Sequence, residues 1–407
     1  MPGKNVRSVL ADIARGLTSQ MGAQAVRTPR RFGLALLFVL AIAAAPRIVE
    51  ATCTGSTLSA LAANMAVNEW CQLATVNNTG LRDVMNDVGE GGYISEFSNS
   101  TAWDPVNGLL HYAGAHHGTT YVGRHVIYTA ATNAWTLGPW PGGCSSGTAS
   151  SPCFNHAYDH NTVDPTTGDM YWRHYQDGTT VRRGTNAGLS WSTLPQVPAM
   201  QGQCCLTMKY FPELGGLIWV EPDWGVWKWT KATNSWSLIA NTSQNVGASV
   251  TLWSSVVSSS NITGAYSPTK KVLVVSSGSG GIVWKLDQNG AWTRMPNAPQ
   301  GIGINTASFV ADPASGDFIL MTNGSSTVWR LNPTGSGSWS AVSTTMPSAL
   351  FGMNGPGDGL TGAADTSHGV IIYVKYTGSA TQMWLFKLSP TMPSQVVPKP
   401  PTGVNAG

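Results

Sequence analysis

The chain has 407 residues, 42% hydrophobic and only 11% charged, against about 25% charged in an ordinary soluble domain. Its formal charge of +3 is carried by the N-terminus: residues 1–51 hold seven of the 23 Lys/Arg and two of the 20 Asp/Glu, leaving 16 basic against 18 acidic groups. That balance excludes the basic footprint of a nucleic-acid-binding protein, and the many Ser, Thr, Asn, Gly and Trp residues suit an uncharged partner such as a glycan.

Residues 1–51 read as a signal peptide. A basic stretch ending in Arg30-Arg31 precedes an apolar run over residues 32–45, too short to span a bilayer comfortably. Val49 and Ala51 supply the small residues of a cleavage site before Thr52, so the mature chain is expected to be secreted or periplasmic, with no stable membrane span. All six cysteines follow the leader: Cys53, Cys71, Cys144, Cys153, Cys204 and Cys205. An even number in an exported chain predicts disulfides. Cys53–Cys71 and Cys144–Cys153 are the simplest local pairs. Cys204 and Cys205 would then form a vicinal ring, unless Cys153 bridges to Cys204 across two repeats.

From residue 68 onward one unit recurs six times. Trp70, Trp135, Trp191, Trp236, Trp292 and Trp339 each follow a turn-like segment. Upstream of five of them lies a second turn: Asp104-Pro105, Asp164-Pro165, Phe211-Pro212, Ser267-Pro268 and Asp312-Pro313, with Asp365-Thr366 as a sixth, degenerate copy. Pro fixes φ in these tight turns. Between turn and tryptophan lie two apolar, β-branched and aromatic runs of strand length, such as Val272-Leu273-Val274-Val275 and Val283-Trp284-Lys285-Leu286. With the strand before the turn and the strand bearing the tryptophan, each unit has four strands, which is one propeller blade. The last unit lacks its tryptophan strand, and the segment around Trp70 is a fourth strand with no blade before it. The expected fold is therefore all-β: a six-bladed β-propeller of four-stranded blades over residues 52–389, its last blade closed by the N-terminal strand. Residues 390–407, with five prolines, read as a tail or linker.

The third-strand aromatics and fourth-strand tryptophans across residues 67–389 resemble kelch-type propellers, although most second strands lack the paired glycine of that family. The segment from Gly184 through Asn186 and Gly188 to Trp191 is similar to the Asp-box turn of sialidase-like propellers, with Asn in place of Asp. Both resemblances imply fold and not activity. The arginine cluster that a sialidase requires has no counterpart motif here.

The tight turns occupy one face of such a ring. The variable loops occupy the other, where function usually sits on a rigid scaffold. Seven of the eight histidines fall in the first two units: His111, His116, His117, His125, His156, His160 and His174. Aligned on the turns, His160 stands level with Ser100, Thr207, Thr263, Ser308 and Thr361, so imidazole replaces a small hydroxyl in one unit only. On an extended strand His156, Tyr158 and His160 would share one side, and hairpin pairing would bring either Arg173 or His174 opposite His160. These five residues form a candidate catalytic set for removing a proton α to a uronate carboxylate, as a polysaccharide lyase does. Side chains that only bond neighbouring blades are the competing reading. A metal site is disfavoured, since His156 and His160 would lie about 13 Å apart at roughly 3.3 Å per residue. Trp224, with Glu221 and Asp223, offers a stacking platform for a sugar, and His116 and His117 extend the candidate binding set. The expected partner is an extracellular polysaccharide, either cleaved or only bound, with a non-catalytic scaffold that binds carbohydrate or protein as the alternative. No cofactor is implied, and a monomer is expected.

Overall fold

The computed structural model describes residues 53–76, 94–95, 97–115, 123–139, 157–173, 180–198, 206–242, 247–253, 262–278, 281–304, 307–322, 325–350, 359–376 and 381–390. They form six four-stranded antiparallel sheets and one α-helix, α1 (Leu58–Asn64). Blade one holds β2 (Ala102–Asp104), β3 (Leu109–Ala115), β4 (Gly123–Thr129) and β5 (Ala134–Leu137), and blade two holds β6 (Thr162–Val163), β7 (Met170–Arg173), β8 (Val181–Thr185) and β9 (Ser190–Thr193). Blade three holds β10 (Thr207–Phe211), β11 (Gly216–Glu221), β12 (Gly225–Thr230) and β13 (Ser235–Ala240), and blade four holds β14 (Thr263–Ser267), β15 (Val272–Ser276), β16 (Val283–Asp287) and β17 (Trp292–Arg294). Blade five holds β18 (Ala307–Ala311), β19 (Phe318–Thr322), β20 (Trp329–Asn332) and β21 (Ser338–Ala341). Blade six holds β22 (Thr361–Asp365), β23 (Val370–Tyr376) and β24 (Thr381–Lys387), completed by the N-terminal β1 (Glu69–Leu73). The innermost strands β2, β6, β10, β14, β18 and β22 contact one another in cyclic order, so the expected six-bladed ring is the observed one.

The repeated tryptophans all lie on outermost strands, and three show what the position does. The indole N–H of Trp135 donates to Thr75 Oγ1 (3.2 Å), that of Trp236 to the Pro195 carbonyl (2.8 Å), and that of Trp339 to the Pro296 carbonyl (3.2 Å). Each acceptor lies just beyond the outer strand of the preceding blade. The apolar ring body therefore packs while its single donor ties adjacent blades. At the inner turns the recurring carboxylate is structural: Asp104, Asp164, Asp312 and Asp365 each accept backbone N–H groups of the residues two or three places on.

Closure follows from pairing of β1 with β24, in the register Trp70↔Phe386 and Gln72↔Trp384. Removing β1 would leave β24 an open edge. Helix α1 buries Leu58, Leu61 and Ala62, and its N-cap Thr57 accepts from the Ala60 N–H. The expected Cys53–Cys71 disulfide is present and anchors this segment to β1. Glu69 stands beside that bridge. Cys144, Cys153, Cys204 and Cys205, and residues 1–52 and 391–407, lie outside the described residues. Among the described residues no helix is long and apolar enough to cross a membrane.

Candidate functional site

Along the axis of the ring the described side chains fall into layers. On the variable-loop side Phe97, Tyr158 and Ile304, from the entries to blades one, two and five, form a small apolar cluster. Below it sits a buried polar layer. Asp159 accepts from Thr207 Oγ1 (2.5 Å), from the Gly264 N–H (2.8 Å) and from the Lys209 ammonium. Asn99 Nδ2 donates across the axis to Thr263 Oγ1 (3.2 Å). Four of the six blades thus meet in one hydrogen-bonded group, with the only nearby ammonium paired to the only nearby carboxylate among these residues. Beyond this layer, on the tight-turn side, a cavity of about 120 Å³ runs along the inner strands to Pro105, Pro165 and Pro268.

The proposed strand spacing around His160 is not what forms. Tyr158 takes a left-handed φ of 42°, and the His160 N–H donates to the Ala157 carbonyl (2.9 Å). A left-handed residue breaks strand alternation, so residues 157–160 turn and β6 begins only at Thr162. The rings of Tyr158 and His160 nevertheless meet edge-on, with centroids 5.5 Å apart. The register Thr162↔Tyr171 and Val163↔Met170 settles the other open question. Arg173, not His174, stands opposite, and His160 Nδ1 lies 3.3 Å from the Arg173 carbonyl oxygen. Tyr158, His160 and Arg173 are brought together, and all three are buried. The Arg173 guanidinium lies 4.8 Å over the Trp219 ring of blade three, an arrangement that favours a desolvated cation. His156, His174, His116 and His117 lie outside the described residues.

In blade three, Glu221 ends β11, and Asp223 and Trp224 lie on the short connection to β12. Glu221 is fully buried and accepts from the Trp219 indole (3.4 Å). Asp223 and Trp224 are half-buried. The turn carrying them is pinned, because the Trp253 indole donates to the Pro222 carbonyl (3.2 Å) and the Trp227 indole to the Trp224 carbonyl (3.1 Å).

One cluster escapes the residue choices made from sequence. His111 on β3 and His125 on β4 are buried and stacked 5.4 Å apart, with His111 Nδ1 3.1 Å from His125 Nε2. His111 Nε2 faces Asp104 Oδ2 at 3.9 Å, and Trp191 of blade two closes edge-on over His125. Burial, followed by the neighbouring His111, pushes the His125 pKa down to about 3, so its ring is neutral at ordinary pH. Burial alone would raise the Asp104 carboxyl, but the facing His111 and the hydrogen bonds from Asn107 outweigh this and hold it below the usual range. Gly188, in the Asp-box-like turn, has φ 77°, and a Cβ there would stand 2.9 Å from one imidazole and 3.2 Å from the other. The signal was available in the sequence. Six residues after each turn proline or its equivalent stand His111, Tyr171, Ile218, Val274, Ile319 and Ile372, so His111 interrupts a mostly aliphatic column.

No protein-family model and no characterised protein matches the chain. Among solved structures it is similar to a nidogen/laminin complex, at 11% identity over 62% of this chain and 81% of that one, with a TM-score of 0.39. It is also similar to regucalcin, a calcium-binding protein of Agrobacterium tumefaciens (14% identity, 54% and 67% covered, TM-score 0.35). Virginiamycin B lyase from Staphylococcus aureus is a third (12%, 70% and 79%, TM-score 0.40). Likenesses this distant carry no argument about ligand or reaction, and the kelch-type and Asp-box resemblances rest on their motifs alone.

Proposed function

We propose that this is an exported binding propeller that engages an extracellular polysaccharide on its variable-loop face, with Trp224 as a stacking platform. The observation that carries this reading is the half-buried Trp224 on a turn pinned by two indole donors. A fixed aromatic loses little freedom when a ring stacks on it. The leader-like N-terminus and the Cys53–Cys71 disulfide support export. Binding is favoured over β-elimination because Tyr158, His160 and Arg173 are packed beneath the surface, where a polymer does not reach without rearrangement.

Affinity electrophoresis in gels cast with neutral and acidic polysaccharides tests this directly. Retardation of the wild type by at least one glycan, and its loss in Trp224→Ala, is expected. An absorbance scan for unsaturated uronate products on the same glycans should stay flat. Steady product formation abolished by Arg173→Lys or Tyr158→Phe would replace binding by the lyase reading, in which His160 and Tyr158 move the proton and Arg173 neutralises the enolate.

A further inference from the structure

The cavity on the tight-turn side belongs to neither the proposed glycan platform nor the buried histidines. We infer that it is a second binding site, for a small neutral ring of phenol size. Its wall is largely aromatic and aliphatic: Trp103, Tyr210, Tyr266 and Phe309, with Val163 and Val310 between them. The polar edges of two rings are already occupied. Trp103 Nε1 donates to Ser367 Oγ (3.3 Å) and the Tyr266 hydroxyl to Glu213 Oε2 (2.8 Å), and the Tyr210 hydroxyl lies near the Asp164 carboxylate.

The inner end of the cavity is polar but almost fully committed. Asn161 gives its amide to the Ala113 and Ser100 carbonyls and its oxygen to the Ala113 N–H. Thr162 Oγ1 takes the Tyr210 N–H (2.9 Å), and Lys209 is held by Asp159. The hydroxyl oxygens of Ser100 and Thr101 have no partner within the described protein but are themselves covered, so they offer nothing to a ligand in the cavity. A polyhydroxylated sugar would leave most of its own hydroxyls unbonded against such walls. An anion or cation would meet a lining whose only ammonium is already neutralised. A small neutral ring that is mostly apolar matches the walls. Its volume of about 120 Å³ is of the same order as the roughly 150 Å³ of a hydrocarbon-lined cavity that takes benzene, and the cavity is open at the turn side.

Phenol itself is the probe. Saturation-transfer NMR on the purified protein should show phenol binding, and neither methyl β-glucopyranoside nor choline should displace it. Ala364→Leu, which fills the cavity from blade six, should weaken phenol binding by about tenfold or more. Melting curves establish that each variant is folded. Should Ala364→Leu fail to fold, Ala311→Leu fills the same space from blade five. Trp224→Ala should bind phenol like the wild type, so the two sites stand or fall separately. No phenol binding, equal binding by the folded cavity-filled variant, or displacement by the glucoside or choline overturns the assignment.

Discussion

Two seams of the ring are built on one backbone plan and filled with different chemistry. Between blades four and five the core contacts are hydrocarbon: Ala265 and Val274 face Phe309, Phe318 and Leu320, with Phe309 and Phe318 stacked 5.3 Å apart, while polar links such as Ser267 Oγ to the Gly316 carbonyl and Lys270 to Asp317 run along the turn side. Between blades one and two a short apolar group of Ala102, Ala113, Val163, Met170 and Trp172 is flanked by His111, His125 and Asn161. The first seam gains from area removed from water, which is tolerant of small shifts. The second depends on a few buried hydrogen bonds, each costly to break singly. The seams should therefore respond differently to mutation and to pH.

The largest effect is expected in the hydrocarbon seam. Phe318 is fully buried in β19, and Phe318→Ala should cost about 3–5 kcal/mol. Its denaturant midpoint should shift by nearly the same amount at pH 5 and pH 8, because no titrating group touches the change. A strong pH dependence of that difference would show that the seams are not separable.

A smaller loss is expected at Asn161. Its side chain accepts from the Ala113 N–H (2.9 Å) and donates to the Ala113 carbonyl (3.1 Å), so Asn161→Ala orphans both backbone groups in a buried strand. The expected cost is about 2–4 kcal/mol. Asn161→Asp keeps the acceptor, loses the donor and buries a charge, so it should not rescue. If Asn161→Asp recovered wild-type stability, the paired amide would not be what holds this seam.

The same contrast explains what could be read from the sequence. Blade number, strand count and N-terminal closure were legible because they repeat, and six aligned turns and six tryptophans average out local accidents. The hydrocarbon seam was legible for the same reason, as Val272–Val275 and Phe318–Met321 are strand-like in any register. The axial arrangement was not. Tyr158 adopts a left-handed backbone that no alternation pattern announces, so the strand spacing expected for Tyr158 and His160 gave way to a turn. Asp159, which gathers Thr207, Lys209 and Gly264, owes its partners to ring closure across as many as 105 residues. His111 was within reach, because it breaks the column six residues after the turn as visibly as His160 breaks the hydroxyl column.

The finest test of the contrast is the proton balance at His125. Its folded pKa, about 3, lies below the ordinary value of 6.5, so the unfolded chain takes up a proton that the folded chain refuses. Stability from this group is fully present above pH 6.5 and falls as the pH drops, by about 1.4 kcal/mol per unit, until the folded value is reached. Asp104 faces the same pair and His111 touches the ring directly, but the Asp104 contribution, from a carboxyl held below 3.8, is lost only at lower pH. The window between pH 6 and pH 4 therefore isolates the imidazole once common carboxylate titrations are cancelled by subtraction. His125→Leu, of similar volume, should flatten the stability-versus-pH slope in that window by close to one proton relative to wild type. Phe318→Ala should leave the slope unchanged. Equal slopes for wild type and His125→Leu would mean that the imidazole is protonated in the folded chain, and that the seam between blades one and two carries a charged relay to Asp104 instead of a neutral stack.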